Sequence, residues 1–195
     1  MDTEVRETLG QTPASGNNRP MPSRTPLLSF WLLLALALLS FASEVGKPLP
    51  AVSAEDEEGK RHSIADHGGQ VVVLVAWNSR GPSSAAYVDR LRSLAKRYAV
   101  KRGEKPRVVI YGLASNHFET AAGLKAARKR TKLPFPLLLD AGGAIAKRVK
   151  TFSTPTALVV DQKGVLRYRG AIDDDPQGKK NRRQQFLKDA VEAVL

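Results

Sequence analysis

Apolar and polar residues alternate between strand-like and helix-like spacing from residue 51 to the C-terminus. Residues 70–77 and 107–113 are rich in β-branched side chains, which predicts two strands buried on both faces. Between them, apolar residues of the segment 83–98 recur every three or four positions, which predicts an amphipathic helix. Gly81 and Pro82 predict where this helix begins, because glycine is accepted at the N-cap and proline favours the first helical position.

Shorter patterns predict the remaining elements. These are hairpins at 51–54 with 61–64 and 156–160 with 165–168, helices at 118–132, 143–149 and 182–195, and an extended piece at 135–139. The order is therefore hairpin, β, α, β, α, short helix, hairpin, α. This alternation predicts an α/β domain with right-handed crossovers and a mostly parallel sheet, to which the last hairpin adds antiparallel strands.

The first 42 residues have a different pattern from the rest. Residues 1–25 are polar and contain several prolines and glycines, which predicts a disordered leader. Residues 26–42 are a run of 17 residues without a charge, close to the ~20 residues that span a bilayer. Ser40 and Ala42 also match the small residues of a signal-peptide cleavage site. The run predicts either a cleaved signal peptide or a membrane anchor, with the following domain on the extracytoplasmic (periplasmic) side.

The charge of the chain is strongly positive, with a formal net charge of +12. Acidic and basic residues cancel in the first 42 residues, so the excess lies in the predicted domain. The basic runs flank amphipathic helices, which favours a solvated face. An anionic membrane surface is the second interpretation. Nucleic acid is the least favoured partner, because aromatic residues are not interleaved with the basic ones and the domain is predicted to be exported.

The chain contains no cysteine. Disulfides, zinc-thiolate centres, iron–sulfur clusters and every mechanism with a thiolate nucleophile are therefore excluded for this sequence. No residue pattern predicts another cofactor or a metal. His62, His67 and His117 are scattered along the chain without metal-ligand spacing, which favours surface or hairpin histidines. The run Asp173-Asp174-Asp175 lacks a calcium-binding loop and is interpreted as a solvated turn.

Two further chemistries are considered at the predicted helix start. Ser83 or Ser84 could act as a nucleophile with His117 as its base, but the elbow motif of serine hydrolases is missing and helix capping is the favoured role of both serines. Free backbone N–H groups beside Arg80 could also bind a carboxylate or phosphate, with water as the alternative partner.

Several short motifs, in order, resemble the thioredoxin-like superfamily, in particular its redoxin branch of AhpC/TSA and TlpA-like proteins. They are GKPLP at 46–50, GKRHSIAD at 59–66, the strand ending in Trp77, FPLLLD at 135–140, Thr154-Pro155 and VVDQKGVLRYRG at 159–170. The resemblance extends over residues 46–195. It implies a three-layer α/β fold with a central mixed sheet flanked by helices, an N-terminal hairpin extension and a cis-proline at Pro155.

The resemblance fails at the residues that carry the family's chemistry. The reactive cysteine of the family precedes the proline of the first helix and is often followed by a second cysteine, yet Gly81 and Ser84 stand at these positions. Thiol–disulfide exchange and peroxide reduction require a thiolate. We therefore expect a non-catalytic binding or structural module, with oxidoreductase or peroxidase-type activity and an anion-binding surface as the alternatives. The resemblance implies that extended peptide binds a groove formed by Trp77, Arg80, Gly81, Pro82, Ser83, Thr154 and Pro155.

Overall fold

A computed structural model describes residues 45–101, 103–177, 179–180 and 183–195. The predicted leader (1–25) and the predicted signal peptide or anchor (26–42) lie outside these residues. Within the described part of the chain, no helix is both long enough and apolar enough to span a membrane.

One seven-stranded sheet forms the centre of the domain. Its strands are β1 (Ser53–Asp56), β2 (Arg61–Ser63), β3 (Val71–Trp77), β4 (Val108–Ala114), β5 (Leu137–Leu139), β6 (Thr156–Val160) and β7 (Leu166–Gly170). The spatial order is β2-β1-β5-β4-β3-β6-β7. Only the β3–β4 and β4–β5 pairs are parallel. The prediction of a mostly parallel sheet is therefore wrong, because β1 pairs antiparallel with β5 and β6 returns antiparallel beside β3. The mixed sheet implied by the resemblance is confirmed.

The helices are shorter than the sequence pattern predicted. They are α1 (Pro82–Ala86), α2 (Val88–Arg97), α3 (Ala121–Thr131), α4 (Ala144–Arg148) and α5 (Phe186–Glu192), with 3-10 turns at Ile64–His67 and Ala141–Gly143. The helix predicted at 83–98 is divided at Tyr87, whose backbone (φ −100°, ψ 0°) stays in the right-handed region but whose N–H bonds to the Ser84 carbonyl, three residues back. The helix predicted from 118 begins only after Thr120, whose extended backbone ends the preceding loop and whose hydroxyl accepts a hydrogen bond from the Gly123 N–H.

The core consists of two layers of side chains, one on each face of the sheet. All seven residues of β3 are buried, as the continuous apolar run predicted. Alternate residues such as Val73 and Val75 join one layer, which also contains apolar residues of α2, α3 and α5. Val72 and Leu74 join the other layer, which contains residues of α4 and of the hairpin. Each fully buried side chain of this kind contributes about 1.5–3 kcal/mol to folding.

Polar contacts attach the N-terminal hairpin to the rest of the domain. The buried Glu57 side chain accepts a hydrogen bond from the Leu137 N–H at 2.8 Å and pairs with the Arg128 guanidinium. Within the hairpin, Asp56 of β1 contacts His62 of β2 at 2.7 Å. Burial acts to raise the pKa of Asp56, but hydrogen bonds from His62 and from the backbone of residues 58 and 60 outweigh it, so the pKa lies below its ordinary value.

Two histidines that look unrelated in the sequence share one partner in the structure. The hydroxyl of Tyr111 lies 3.2 Å from His62 Nδ1 and 2.8 Å from His67 Nε2. Both side chains are half-buried. His62 lies in β2 of the hairpin, as the sequence suggested. The sequence interpretation missed that the fold brings both histidines onto one tyrosine of β4, which lies 49 and 44 residues away from them in sequence.

Candidate functional site

The sheet topology brings three loops to one edge of the domain. The last residue of β3, Trp77, pairs with Ala114 at the end of parallel β4. Ala76 pairs with Thr156 at the start of antiparallel β6. The loops after β3 and β4 and the loop before β6 therefore emerge at the same edge. The Thr154–Pro155 peptide bond in the last of these loops is cis, as the resemblance implied.

The first of these loops, residues 78–81 between β3 and α1 (the β3–α1 loop), is closed by hydrogen bonds within itself. The side-chain oxygen of Asn78 accepts from the Arg80 N–H at 2.9 Å, and the Asn78 carbonyl accepts from the Gly81 N–H at 3.3 Å. The Asn78 N–H donates to the Ser84 hydroxyl at 3.0 Å. Ser84 is fully buried, so this hydroxyl is a structural acceptor for the loop.

Gly81 occupies the N-cap of α1 and Pro82 its first position, as predicted. The predicted capping role of the two serines is wrong, because no side chain caps this helix: Ser84 points inward to Asn78, and Ser83 is exposed. Gly81 has an ordinary extended backbone (φ −78°, ψ 129°) that any residue can adopt. A Cβ atom at this position would nevertheless lie 2.9 Å from Cγ of Asn78. The asparagine therefore fills the space in which a side chain at position 81 would begin.

The loop between β4 and α3 fixes the β3–α1 loop from the other side. Glu119 is buried, and its Oε1 accepts a hydrogen bond from the Ser79 N–H at 2.9 Å. The guanidinium of Arg130 donates to the Ser79 carbonyl at 3.0 Å. The guanidinium of Arg80 lies 5.0 Å from the ring centroid of Phe118, a cation–π distance. These contacts hold the β3–α1 loop in one arrangement.

Sequence reasoning did not identify Asn78 or Glu119. Asn78 could have been found from its position directly after a buried strand, because asparagine at such a position often closes a turn through its side chain. Nothing in the sequence pointed to Glu119, because its partner Ser79 lies 40 residues away.

In the loop that precedes β6, residues 151–155 (the cis-proline loop), several polar groups lack a hydrogen-bond partner among the described residues. Thr151 is 6% exposed, and its hydroxyl has no hydrogen-bond partner among the described residues. Phe152 is 80% exposed. Thr154 is half-buried, and neither its N–H nor its carbonyl is hydrogen-bonded within the part of the chain that the structure describes. The sequence pointed to Thr154 and Pro155 but not to Thr151 or Phe152.

The predicted groove residues differ in what they present to solvent. Arg80, Pro82 and Ser83 are exposed, and Gly81, Thr154 and Pro155 are half-buried. Trp77 is only 2% exposed and belongs to the core layer beneath α2 and α3. Its predicted place in the contact surface is therefore corrected: the indole ring continues the alternation of β3 into the core and supports the loop from below.

The structure gives no support to serine-based hydrolysis or to a metal centre. His117 is exposed and packs edge-on against Phe118, 5.4 Å between ring centroids, and it makes no hydrogen bond to either serine in the described residues. Over the same residues, no group of three or more histidine, cysteine, aspartate and glutamate side chains is placed to hold a metal ion.

The acidic run after β7 is not the solvated turn that the sequence suggested. Asp173 and Asp175 are 4% and 3% exposed and both face the guanidinium of Arg90, at 3.3 and 3.6 Å. Arg90 also lies over the ring of Tyr87, which is buried at the α1–α2 junction. Burial, followed by the negative charge of Asp173, raises the pKa of Tyr87 to about 12. The run therefore anchors the C-terminal segment to the first turn of α2.

The cis-proline, the sheet order and the helix that begins with Gly-Pro together define a thioredoxin fold. The chain belongs to the AhpC/TSA family, whose model matches residues 45–169. It is 28% identical over 121 residues to the thiol-disulfide oxidoreductase ResA of Bacillus thuringiensis subsp. konkukian and, to the same extent, to that of Bacillus cereus. These matches cover 62% of this chain and 66% of the relatives.

Solved structures with the same fold include a hypothetical protein from Sinorhizobium meliloti 1021, with a TM-score of 0.68 and 24% identity over 77% of this chain and 83% of that one. A secreted disulfide oxidoreductase of Mycobacterium tuberculosis, described as homologous to E. coli DsbE, has a TM-score of 0.57 and 20% identity over 73% and 96%. At these identities the likeness shows the shared fold.

Proposed function

We propose that this chain is an exported or membrane-tethered redoxin-family domain that has no redox chemistry and binds an extended peptide segment of a protein partner. The binding groove lies between the β3–α1 loop and the cis-proline loop. The observation that carries this proposal is the unpaired backbone of Thr154, which offers one donor and one acceptor beside the cis-proline. An extended peptide satisfies such groups by strand-like pairing.

The non-catalytic part of the proposal is supported at the two positions of the family's cysteines. Gly81 has no side chain, and the Ser84 hydroxyl is buried against the Asn78 N–H. A serine hydroxyl at neutral pH supplies neither the thiolate nor the disulfide that these reactions require. The packing of Asn78 against Gly81 leaves little room for a substrate sulfur at the helix start.

The location of the domain follows from the uncharged run at 26–42, which is the size of a signal sequence or short anchor. The secreted M. tuberculosis relative supports export of a domain with this fold. Fractionation of cells that express the full chain, with N-terminal sequencing of the product, separates the two forms: an anchored chain keeps its own N-terminus, and a secreted one begins after residue 42.

The redox alternative is tested by insulin-reduction and peroxide-consumption assays on the full chain in detergent. We expect no turnover above the buffer control. The double variant Gly81→Cys/Ser84→Cys is assayed beside it, with thiol titration to measure the pKa of its cysteines. Turnover by the unmodified chain would overturn the proposal. A double variant that folds but shows no cysteine with a lowered pKa would mean that the site has been misplaced.

The binding function is tested by selection of a random dodecapeptide display library on the same full-length protein. Peptides enriched by the selection are then resynthesised with single N-methyl groups. Because the Thr154 carbonyl accepts from a single peptide N–H, methylation should weaken binding at one position of the peptide only. Failure to enrich any peptide, or binding that is indifferent to N-methylation, contradicts this function.

A further inference from the structure

A cavity of about 270 Å³ opens beside the cis-proline loop, at the carboxyl ends of β3 and β4. It is large enough for one amino-acid side chain and smaller than the pockets that hold drug-sized ligands. Its lining includes Ala76, Asn116, Lys147, Thr151, Phe152 and Thr154. Thr154 is therefore shared between this cavity and the proposed peptide groove.

Thr151 lines this cavity, and its unsatisfied hydroxyl lies within the cavity wall, where a rotation about χ1 would turn it toward a ligand. It is buried and has no hydrogen-bond partner among the described residues. A buried hydroxyl without a partner is unfavourable, and a polar ligand atom would relieve that cost. The side-chain amide of Asn116 also lines the cavity and makes no hydrogen bond within the described chain, so it can supply a second polar contact.

A buried carboxylate behind the cavity residue Ser115 is already hydrogen-bonded by local donors. The Asp140 carboxylate accepts hydrogen bonds from the backbone N–H groups of Ile145 and Ala146, both at 2.9 Å. It also accepts from the hydroxyl of Ser115, at 2.8 Å, and Ser115 is the residue that lines the cavity. Both oxygens of the carboxylate are thus engaged by these donors, and Asp140 itself is not among the residues that line the cavity.

The rim of the cavity is positive and apolar. Lys147, in the last turn of α4, is exposed and forms no ion pair in the described part of the chain. Across the cis-proline, Arg80 is exposed, and its guanidinium lies over the face of Phe118 and makes no ion pair among the described residues. Phe152 adds an aromatic ring that is 80% exposed. The net charge of +12 adds a long-range attraction for anionic segments.

We propose that this cavity binds an acidic side chain of the extended peptide, with Lys147 pairing with the carboxylate and the Thr151 hydroxyl donating to it. The inference rests on the proposed function, since the peptide backbone that pairs with Thr154 brings its side chain to the cavity. Phe152 covers the aliphatic stem of that side chain or the residue next to it. The groove is thereby selective for acidic segments.

The test uses the full chain in detergent and the random dodecapeptide library, selected in parallel on the unmodified protein, Lys147→Glu and Lys163→Glu. Lys163 is a matched control, because it lies in the β6–β7 turn at the opposite end of β6. The unmodified protein and Lys163→Glu should enrich Asp or Glu at one fixed position. Lys147→Glu should lose that preference and favour Lys or Arg there.

Fluorescence anisotropy with one enriched acidic peptide then measures the size of the effect. Lys147→Glu should weaken binding about ten-fold and Lys163→Glu less than about two-fold. Peptides that are enriched without an acidic preference, or a preference unchanged in Lys147→Glu, overturn the cavity assignment and leave the peptide-binding function standing. A selection that enriches no peptide overturns both.

Discussion

The two loops that border the proposed groove differ in how their polar groups are satisfied. In the β3–α1 loop, Asn78, Ser79, Arg80 and Gly81 all donate a backbone N–H to an acceptor in the domain. In the cis-proline loop, the backbone of Thr154 and the buried hydroxyl of Thr151 lack such partners in the described chain. The four N–H groups of the first loop are thus satisfied by the protein, although Oε2 of Glu119 beside it is buried without a partner in the described chain, and the backbone of Thr154 in the second loop is open to a ligand.

This difference separates the two halves of what the family uses as one site. A redox cysteine at a helix start needs an accessible sulfur and free N–H groups that stabilise its thiolate. Here the corresponding space is filled by Asn78, and the N–H groups of Arg80 and Gly81 just before the helix are hydrogen-bonded to Asn78. The half that contacts peptide backbone keeps its unpaired groups. We infer that the domain kept peptide binding at the cis-proline loop and lost redox chemistry at the start of α1.

Among the variants that test this difference between the loops, Glu119→Ala should change the free energy of unfolding most. It removes the acceptor of the Ser79 N–H and leaves a space at a buried position, so we expect the free energy of unfolding to fall by about 3 kcal/mol. Urea denaturation measures this loss. Glu119→Gln keeps a carbonyl acceptor in the same place and should lose less than about 1 kcal/mol. Equal losses in the two variants would show that the hydrogen bond to Ser79 is not what matters.

Ser84→Ala should destabilise the same loop by about 2 kcal/mol, because the Asn78 N–H would be left without its acceptor at a buried site. The neighbouring Ser83→Ala is the matched control. Ser83 is exposed and makes no hydrogen bond in the described residues, so its replacement should change the free energy of unfolding by less than about 0.5 kcal/mol. A similar small effect at both serines would contradict the closed state of the loop.

The fold could be predicted from the sequence because its signals are local. The buried run of β3, the Gly81-Pro82 helix start and the Thr154-Pro155 pair each lie within a few residues, and the structure places all three as predicted. The sheet was less predictable, since the antiparallel pairing of β1 with β5 joins segments about 80 residues apart. A pattern within a few residues cannot predict a pairing between segments this far apart.

The candidate site was harder to predict for the same reason. The partners of Ser79 and of Tyr111 lie 40 or more residues away, so Glu119 and the paired histidines carry no mark in the sequence. The burial of Asp173 and Asp175 had a weak signal: in an extended segment, residues two apart share a face, and Asp174 between them is more exposed. Because all three residues are aspartate, the sequence itself shows no alternation at these positions.

Gly81→Ala tests how tightly Asn78 fills the position of the missing cysteine. The backbone angles of Gly81 suit alanine, so any loss must come from the contact of the new Cβ with Asn78 Cγ at 2.9 Å. We expect a loss of about 1 kcal/mol in the free energy of unfolding. In the Asn78→Gly background the same substitution should be close to neutral, and a double-mutant cycle measures this coupling. Additive effects would show that the two residues do not compete for space.

Thr151→Val should have the smallest effect and the opposite sign. Valine keeps the β-branched shape but removes a buried hydroxyl that has no partner, so the free energy of unfolding should rise by about 0.5 kcal/mol. Thr151→Ser keeps the hydroxyl and loses a methyl group, so it should be destabilised by about 0.8 kcal/mol. In peptide-binding assays the order should reverse, with Thr151→Val binding an acidic peptide more weakly than Thr151→Ser. If Thr151→Val instead lowered the free energy of unfolding, as we expect for Ser84→Ala, the Thr151 hydroxyl would have a partner in the free protein. The cis-proline loop would then be as fully hydrogen-bonded as the β3–α1 loop.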